Sequence, residues 1–358
     1  MHKAAIIGVN GWAANYLPHL TRLTEAGKLE FAAAVVRNPA KNPEVTEKLR
    51  AQGVKIYPTQ EEMYAEIRPD LVCIPTGIEF HEPMTLAALE HGCNVLLEKP
   101  AAASVAAVNR MIEAAKRHPE CFAAVAFQHV YDRNIHHFKK SFEGPLGRPE
   151  KITVRGLWPR ADQYYIRNDW AGKLRSSRGA LVLDSPANNA FAHFINISLF
   201  LCGETFERTT SAVVRDAKLW RARPEIETFD SCQLCLRTET GTDLDIYLSH
   251  TSREKFDPQL KIECSGGMIT WQQNSPWQIT SSSGEILESG PYGDPIAQMF
   301  NDIAEKLDSP DRFFCSLEIA KEHTKIIEAL HRNYSVIPVP PEKTMRIPET
   351  GQQIFPLF

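Results

Sequence analysis

Residues 94–100 read Asn94-Val95-Leu96-Leu97-Glu98-Lys99-Pro100. A short apolar run stops abruptly at an acid, a lysine and a proline, the pattern of a buried strand whose end does not continue as helix. Lys99 is thereby delivered to the carboxyl edge of a sheet, the side on which open α/β sheets bind ligands. A lysine at a strand end can equally be a solvated cation, so the surrounding chain has to decide.

Upstream, residues 4–26 read as a buried strand, a tight turn and a helix, the turn being Gly8-Val9-Asn10-Gly11-Trp12-Ala13. A dinucleotide fingerprint places glycine at its first, third and sixth positions, for the turn, for backbone approach to pyrophosphate and for helix packing. Gly8 meets the first requirement, Asn10 is expected to substitute at the second by tolerating positive φ, and Ala13 is the small residue at the third. Gly11 and Trp12 belong to the same loop.

A second strand, 30–36, ends in Arg37-Asn38-Pro39, with no acid from residue 31 to 43 to meet a ribose 2′-hydroxyl. Arginine there suits a 2′-phosphate, so NADP is expected in preference to NAD, unless Arg37 only stacks on adenine or faces solvent. After a strand at 70–74, Pro75, Thr76 and His81 open a helix expected at 82–91. With Glu98, Lys99 and Gln128 they sit where a dinucleotide would lie. Strand and helix alternate to residue 127 without hairpin signals, which predicts a doubly wound parallel sheet, an NAD(P)-binding Rossmann domain over residues 1–127.

Beyond it the pattern changes. Strands are expected at 151–157, 206–215, 228–237, 242–249, 259–265 and 268–272, several joined by short turns, so residues 128–358 read as an α+β domain with a largely antiparallel open sheet. Helices at 295–307 and 317–332 follow, then a proline-rich extended strap, and the C-terminal segment can return to the first domain.

Bulk properties narrow the partners. The 358 residues are 43% hydrophobic and 23% charged with a formal net charge of −4, giving no general attraction for nucleic acid. No apolar run reaches the length of a membrane span. The sequence enters its first strand at residue 4 without room for a leader, and a cytoplasmic location is expected. Eight cysteines lack a metal or disulfide spacing. Cys232 and Cys235, three apart in an expected strand, point to opposite faces, so no metal site is expected.

The Gly-loop domain, the strand end Leu97-Glu98-Lys99-Pro100 and the antiparallel second domain together resemble the Gfo/Idh/MocA oxidoreductase family over nearly the whole chain. That resemblance implies that Lys99 reaches nicotinamide and the reacting hydroxyl, and that its bond to Pro100 is cis. It also places the family's second signature in Gly179-Ala180-Leu181-Val182-Leu183-Asp184-Ser185-Pro186-Ala187-Asn188-Asn189-Ala190, with Asp184 matching the family aspartate and Asn188 standing where the family usually has a catalytic histidine.

An amide cannot accept a proton near neutral pH, so Lys99 becomes the first candidate base, its pKa lowered beside a cationic nicotinamide. His193 is the second. Asp184 would orient Lys99 or bind a hydroxyl, and Asn188 would hydrogen-bond substrate. Ser185 and Pro186 are expected to start a helix there.

His129, Asn189 and a loop holding Trp158, Arg160, Tyr164, Tyr165, Arg167, Asn168 and Trp170 are expected to meet substrate, unless the aromatics serve only to pack the loop. Rings paired with forked donors suit a sugar, sugar acid or cyclic polyol. The resemblance implies hydride transfer at a secondary hydroxyl. It leaves open a relay that cleaves a glycoside without net redox change, or a regulator without catalysis. A homodimer or homotetramer assembled through the open sheet is also implied.

Overall fold

The structure is a computed structural model and describes residues 1–357. The chain forms two compact units, Met1–Tyr131 with Pro295–Ala320, and Asp132–Asp294 with Lys321–Phe358. The boundary thus falls a few residues after the expected 127/128, and the segment that returns to the first unit is internal.

In the first unit six parallel strands, β1 Lys3–Ile7, β2 Glu30–Val35, β3 Lys55–Tyr57, β4 Leu71–Ile74, β5 Asn94–Leu97 and β6 Ala123–Val125, lie in the order β3-β2-β1-β4-β5-β6. Runs such as Ala4-Ala5-Ile6 and Val95-Leu96-Leu97 are wholly buried, as strands covered on both faces must be. The order reverses direction between β1 and β4, and ligands of such sheets bind beyond the strand ends at that point.

The helices are α1 Leu17–Glu25, α2 Pro43–Ala51, α3 Gln60–Glu66, α4 Ile78–Glu90 and α5 Val105–Arg117. Ser104 caps α5 by accepting a hydrogen bond from Ala107 N at 3.2 Å, and Thr59 does the same for α3 through Glu62 N. The expected start of α4 at residue 82 is corrected to Ile78. Pro83 lies inside the helix, where it forfeits one backbone hydrogen bond, and His81 ties the first turns to the neighbouring strand end.

The second unit carries α6 Arg133–Ser141, β7 Pro149–Leu157, the short α7 Asp162–Ile166 and α8 Ala192–Leu201. Its sheet continues with β8 Ala212–Arg221, β9 Ser231–Thr238, β10 Asp243–Ser249, β11 Phe256–Cys264, β12 Gly267–Gln272, β13 Trp277–Ser281 and β14 Ile286–Gly290. Next come α9 Pro295–Lys306, which belongs to the first unit, and α10 Leu317–Asn333. The chain ends in β15 Val336–Pro338 and a small hairpin of β16 Met345–Ile347 and β17 Gln352–Ile354.

Nine strands form one mixed sheet, β14-β13-β12-β11-β7-β10-β9-β8-β15, antiparallel except where β7 meets β10 and β8 meets β15. Burial alternates along β9, with Cys232 buried and Cys235 half-buried, so the two thiols do face apart.

Three expectations are corrected here. The strand expected at 206–215 runs from Ala212 to Arg221, because it is an exposed, charged strand whose apolar alternation is faint. Helices α6 and α7 and strands β13 and β14 were not foreseen. The helix expected from Pro186 begins only at Ala192, after a run of turns.

Candidate active site

The first unit gathers its residues at the ends of β1, β4 and β5. Gly8 leaves β1 with φ +91°, and a side chain there would meet Thr76 Cγ2 at 3.9 Å. The second left-handed position is Gly11, φ +59°, while Asn10 is extended at φ −112°. This corrects the role given to Asn10. The loop turns on two glycines three residues apart, and the polypeptide then makes a 3-10 turn, Gly11–Asn15, with Ala13 buried in it, before α1.

That turn aims Trp12 and Tyr16 at Glu98. Trp12 Nε1 donates to Glu98 Oε1 at 2.7 Å and Tyr16 O–H donates to the same oxygen at 2.8 Å. The second carboxylate oxygen accepts Lys99 N at 2.9 Å. Burial pushes the Glu98 carboxyl above its ordinary pKa, while Lys99 and the donors pull the other way. Phe300 of α9 packs edge-on against Tyr16, with centroids 5.0 Å apart, and holds its ring in place.

The Lys99–Pro100 peptide is cis, as the family resemblance implied. His81 joins the neighbouring strand ends, its Nδ1 2.9 Å from Pro100 O and its Nε2 3.1 Å from Thr76 O. Gly8, Gly11, Trp12, Thr76, His81, Glu98 and Lys99 are therefore one connected group, with Lys99 half-buried and Pro75 buried behind Thr76. Gln128 and His129 lie buried on a 3-10 turn after β6, the imidazole pushed down to about 3 by burial and so neutral. Arg37 stands exposed just past β2. Tyr16 was not foreseen; it reads as one more apolar residue of a helix face.

A second group lies wholly within the other unit. Asp184 is buried, and its carboxylate accepts Gly172 N at 2.7 Å and Asn189 Nδ2 at 2.9 Å. Its backbone is held by Thr228 Oγ1, which donates to Asp184 O at 2.5 Å, and by Asp184 N donating to Lys173 O at 3.0 Å. Ser185 does receive a hydrogen bond from Asn188 N at 3.2 Å, a cap formed on a turn. Asn188 sends both amide hydrogens inward, to Val182 O and Leu183 O at 3.1 Å each, bracing a loop in which Leu183 has φ +50°.

Asn189 also donates to Tyr164 O–H at 3.3 Å. The Tyr164 ring carries two guanidinium groups, Arg160 at 4.7 Å and Arg167 at 3.7 Å from its centroid, with Trp170 5.5 Å from Arg167. Asn168 braces this loop by accepting Trp170 N and Ala171 N. Trp158 donates to Asp257 Oδ1 at 2.8 Å and stacks on Phe191.

His250, which sequence reasoning missed, packs against Tyr164 and Phe191 and engages Trp158 O through Nδ1; burial takes it down to about 3. The structure turns Tyr165 elsewhere, under Arg223 at 4.6 Å and against Gly172. His193 is buried in α8, whose residues are buried on every side.

A parallel six-stranded sheet with a two-glycine loop at its reversal point has the form of a dinucleotide-binding domain, and Lys99 stands at the next strand end but one. Residues 2–127 match the family GFO_IDH_MocA, described as an oxidoreductase family with an NAD-binding Rossmann fold. The resemblance to the Gfo/Idh/MocA oxidoreductases is thereby found again in the first 127 residues, as a similarity of that domain.

Among relatives, inositol 2-dehydrogenase/D-chiro-inositol 3-dehydrogenase of Halalkalibacterium halodurans is 25% identical over 261 residues, covering 73% of this chain and 68% of that protein. Among solved structures, an Agrobacterium radiobacter oxidoreductase in complex with NAD+, L-tartaric acid and magnesium aligns with TM-score 0.75 at 17% identity, over 92% of this chain and 94% of that one. KijD10, a 3-ketoreductase from Actinomadura kijaniata in complex with NADP and TDP-benzene, aligns with TM-score 0.76 at 15% identity, over 95% and 99%.

Proposed function

We propose that this protein is a dehydrogenase or reductase that moves a hydride between nicotinamide and a secondary carbinol carbon of a sugar, sugar acid or cyclic polyol, with NADP preferred. The observation that carries the reading is the bonding of Trp12 and Tyr16, from the glycine loop and the turn after it, to the Glu98 carboxylate that also holds Lys99 N. One buried acid thus fixes the backbone of the lysine relative to the dinucleotide loop. The loop glycines fit a pyrophosphate approaching the backbone, and Arg37 fits a 2′-phosphate. When bound, the nicotinamide supplies the hydride acceptor or donor.

The chain's own residues handle the proton. The Lys99 amine, in its neutral form, takes the hydroxyl proton as the alcohol becomes a carbonyl, and returns it in reduction. Asp184 and Asn189, already bonded to each other, bind hydroxyls of the substrate, and Asn188 serves as a positioning residue for the 182–184 loop. The test is spectrophotometric, following reduced cofactor on a panel of polyols, hexoses and hexuronic acids with NADP and with NAD. Cofactor reduction by any of them supports the reading; a protein that binds neither dinucleotide removes it. Assembly through the face of the large sheet belongs to the same proposal, and light scattering after gel filtration checks it.

A further inference from the structure

We infer that Arg160 and Arg167, clasped on Tyr164, form a subsite for an oxyanion, so that the substrate class is an acidic sugar or polyol carrying a carboxylate or phosphate. This rests on the dehydrogenase reading above and names the substrate class of the same site.

The loop contains two arginine–tyrosine stacks that differ in one respect. Arg223 lies over Tyr165 and is closed off. It is ion-paired to Asp162, lies 3.9 Å from Glu225, and donates to Gly351 O at 2.6 Å. Arg160 and Arg167 sit on Tyr164, and among the described residues neither has a carboxylate partner. The nearby acids are committed elsewhere: Asp162 to Arg223 and Arg346, Asp169 to Ser177, and Asp184 to Gly172 N and Asn189.

Two like charges on one ring repel, and part-burial of Arg160 raises that cost. Its Nε is buried without an acceptor, and burial lowers its pKa, with Arg167 adding to the effect. His250, the nearest further titratable base, stays neutral and neither adds to nor relieves the charge.

An arrangement that is costly in the protein alone becomes favourable when an anion enters. Guanidinium pairs offer the forked donors that match carboxylate and phosphate oxygens. The subsite is also placed for one small ligand. Asn189 links the Tyr164 hydroxyl at 3.3 Å to the Asp184 carboxylate at 2.9 Å, so an acidic polyol held at the arginines lies beside the hydroxyl-binding carboxylate.

The experiment is calorimetric titration of the full chain, with and without NADP, using hexuronates, hexose 6-phosphates and the parent neutral hexoses. At least one anion series is expected to bind about tenfold or more tighter than its neutral parent, and the series that does so distinguishes carboxylate from phosphate. Arg167 is exposed, so Arg167→Gln should fold; it should bring the affinity for the anion down to that for the neutral sugar measured on the same variant.

Equal affinities for charged and neutral ligands in the unsubstituted protein, or an anion preference that survives in Arg167→Gln, overturns the subsite. Turnover of neutral polyols, followed on the same preparations, separates the two readings. With turnover intact and no anion preference, the subsite alone falls. With no binding of NADP or NAD, the dehydrogenase reading falls whatever the anion affinities are.

Discussion

In the proposed reaction the single amine of Lys99 would carry the proton chemistry, since the amide hydrogens of Asn188 are spent on loop carbonyls. Lys99→Met is expected to lower kcat by about three orders of magnitude or more while leaving the cofactor dissociation constant within a few-fold, which stopped-flow turnover and fluorescence titration would read separately. Glu98 is the other sensitive position. Glu98→Ala deprives Trp12, Tyr16 and Lys99 N of their acceptor at once, a change expected to weaken cofactor binding as well as turnover. Arg37→Asp should reverse the choice of dinucleotide by discarding the cation that suits a 2′-phosphate, and comparing kcat/KM for NADP and NAD checks it. The places of Glu98 and Lys99 at a strand end and of Asp184 ahead of a turn were legible from sequence because short motifs bracket them. Tyr16 and His250 were not, because an aromatic on an apolar stripe and a histidine after a strand look the same whether they pack or bond.

Among the elements, those with strong local chemistry were readable: buried strands of the parallel sheet, and helices opened by Ser104 or Thr59. Elements defined by tertiary contacts were not. β8 is charged along much of its length, and α4 continues through Pro83, with His81 of its first turns bound to Pro100 O. The turn around Pro186 carried a helix-start signature, yet the chain spends that cap on a turn that presents Asp184 and Asn189.

Helix α6 gives a pH prediction. Its cap, Asp132, accepts Asn134 N at 2.9 Å, and burial raises its carboxyl to about 6. A carboxyl whose pKa is higher folded than unfolded supplies stability below its unfolded value, and that stability is lost as pH rises through about 6. Asparagine caps equally well without ionising. Asp132→Asn should therefore gain on the unsubstituted protein, by on the order of 2 kcal/mol, between about pH 4 and pH 7 in denaturant titrations. A constant difference across that range would refute the assignment.

Across the whole molecule, no helix among the described residues is long and apolar enough to cross a membrane, and all eight cysteines are unpaired thiols. Only Cys121, Cys235 and Cys264 are other than fully buried, so a native thiol titration should react with at most these three, and denaturant should release all eight. The tail is bound firmly. Arg223 holds Gly351 O, and Phe355 N donates to Thr251 O at 2.7 Å. A side chain at residue 351 would run into the Asp162 carboxylate, so Gly351→Ala should loosen the terminal hairpin, visible as faster proteolysis after residue 340.

β15 lies along β8 in the same direction, and the partners Val336–Leu219, Ile337–Trp220 and Pro338–Arg221 cover the last residues of an edge that would otherwise offer a row of open amides and carbonyls. During synthesis β8 emerges long before the residues that cover it. For that interval the nascent polypeptide exposes a bare template to its neighbours on the polysome, and chaperone demand should peak there. A ribosome stalled just short of residue 336 would leave a product prone to pairing with its own kind.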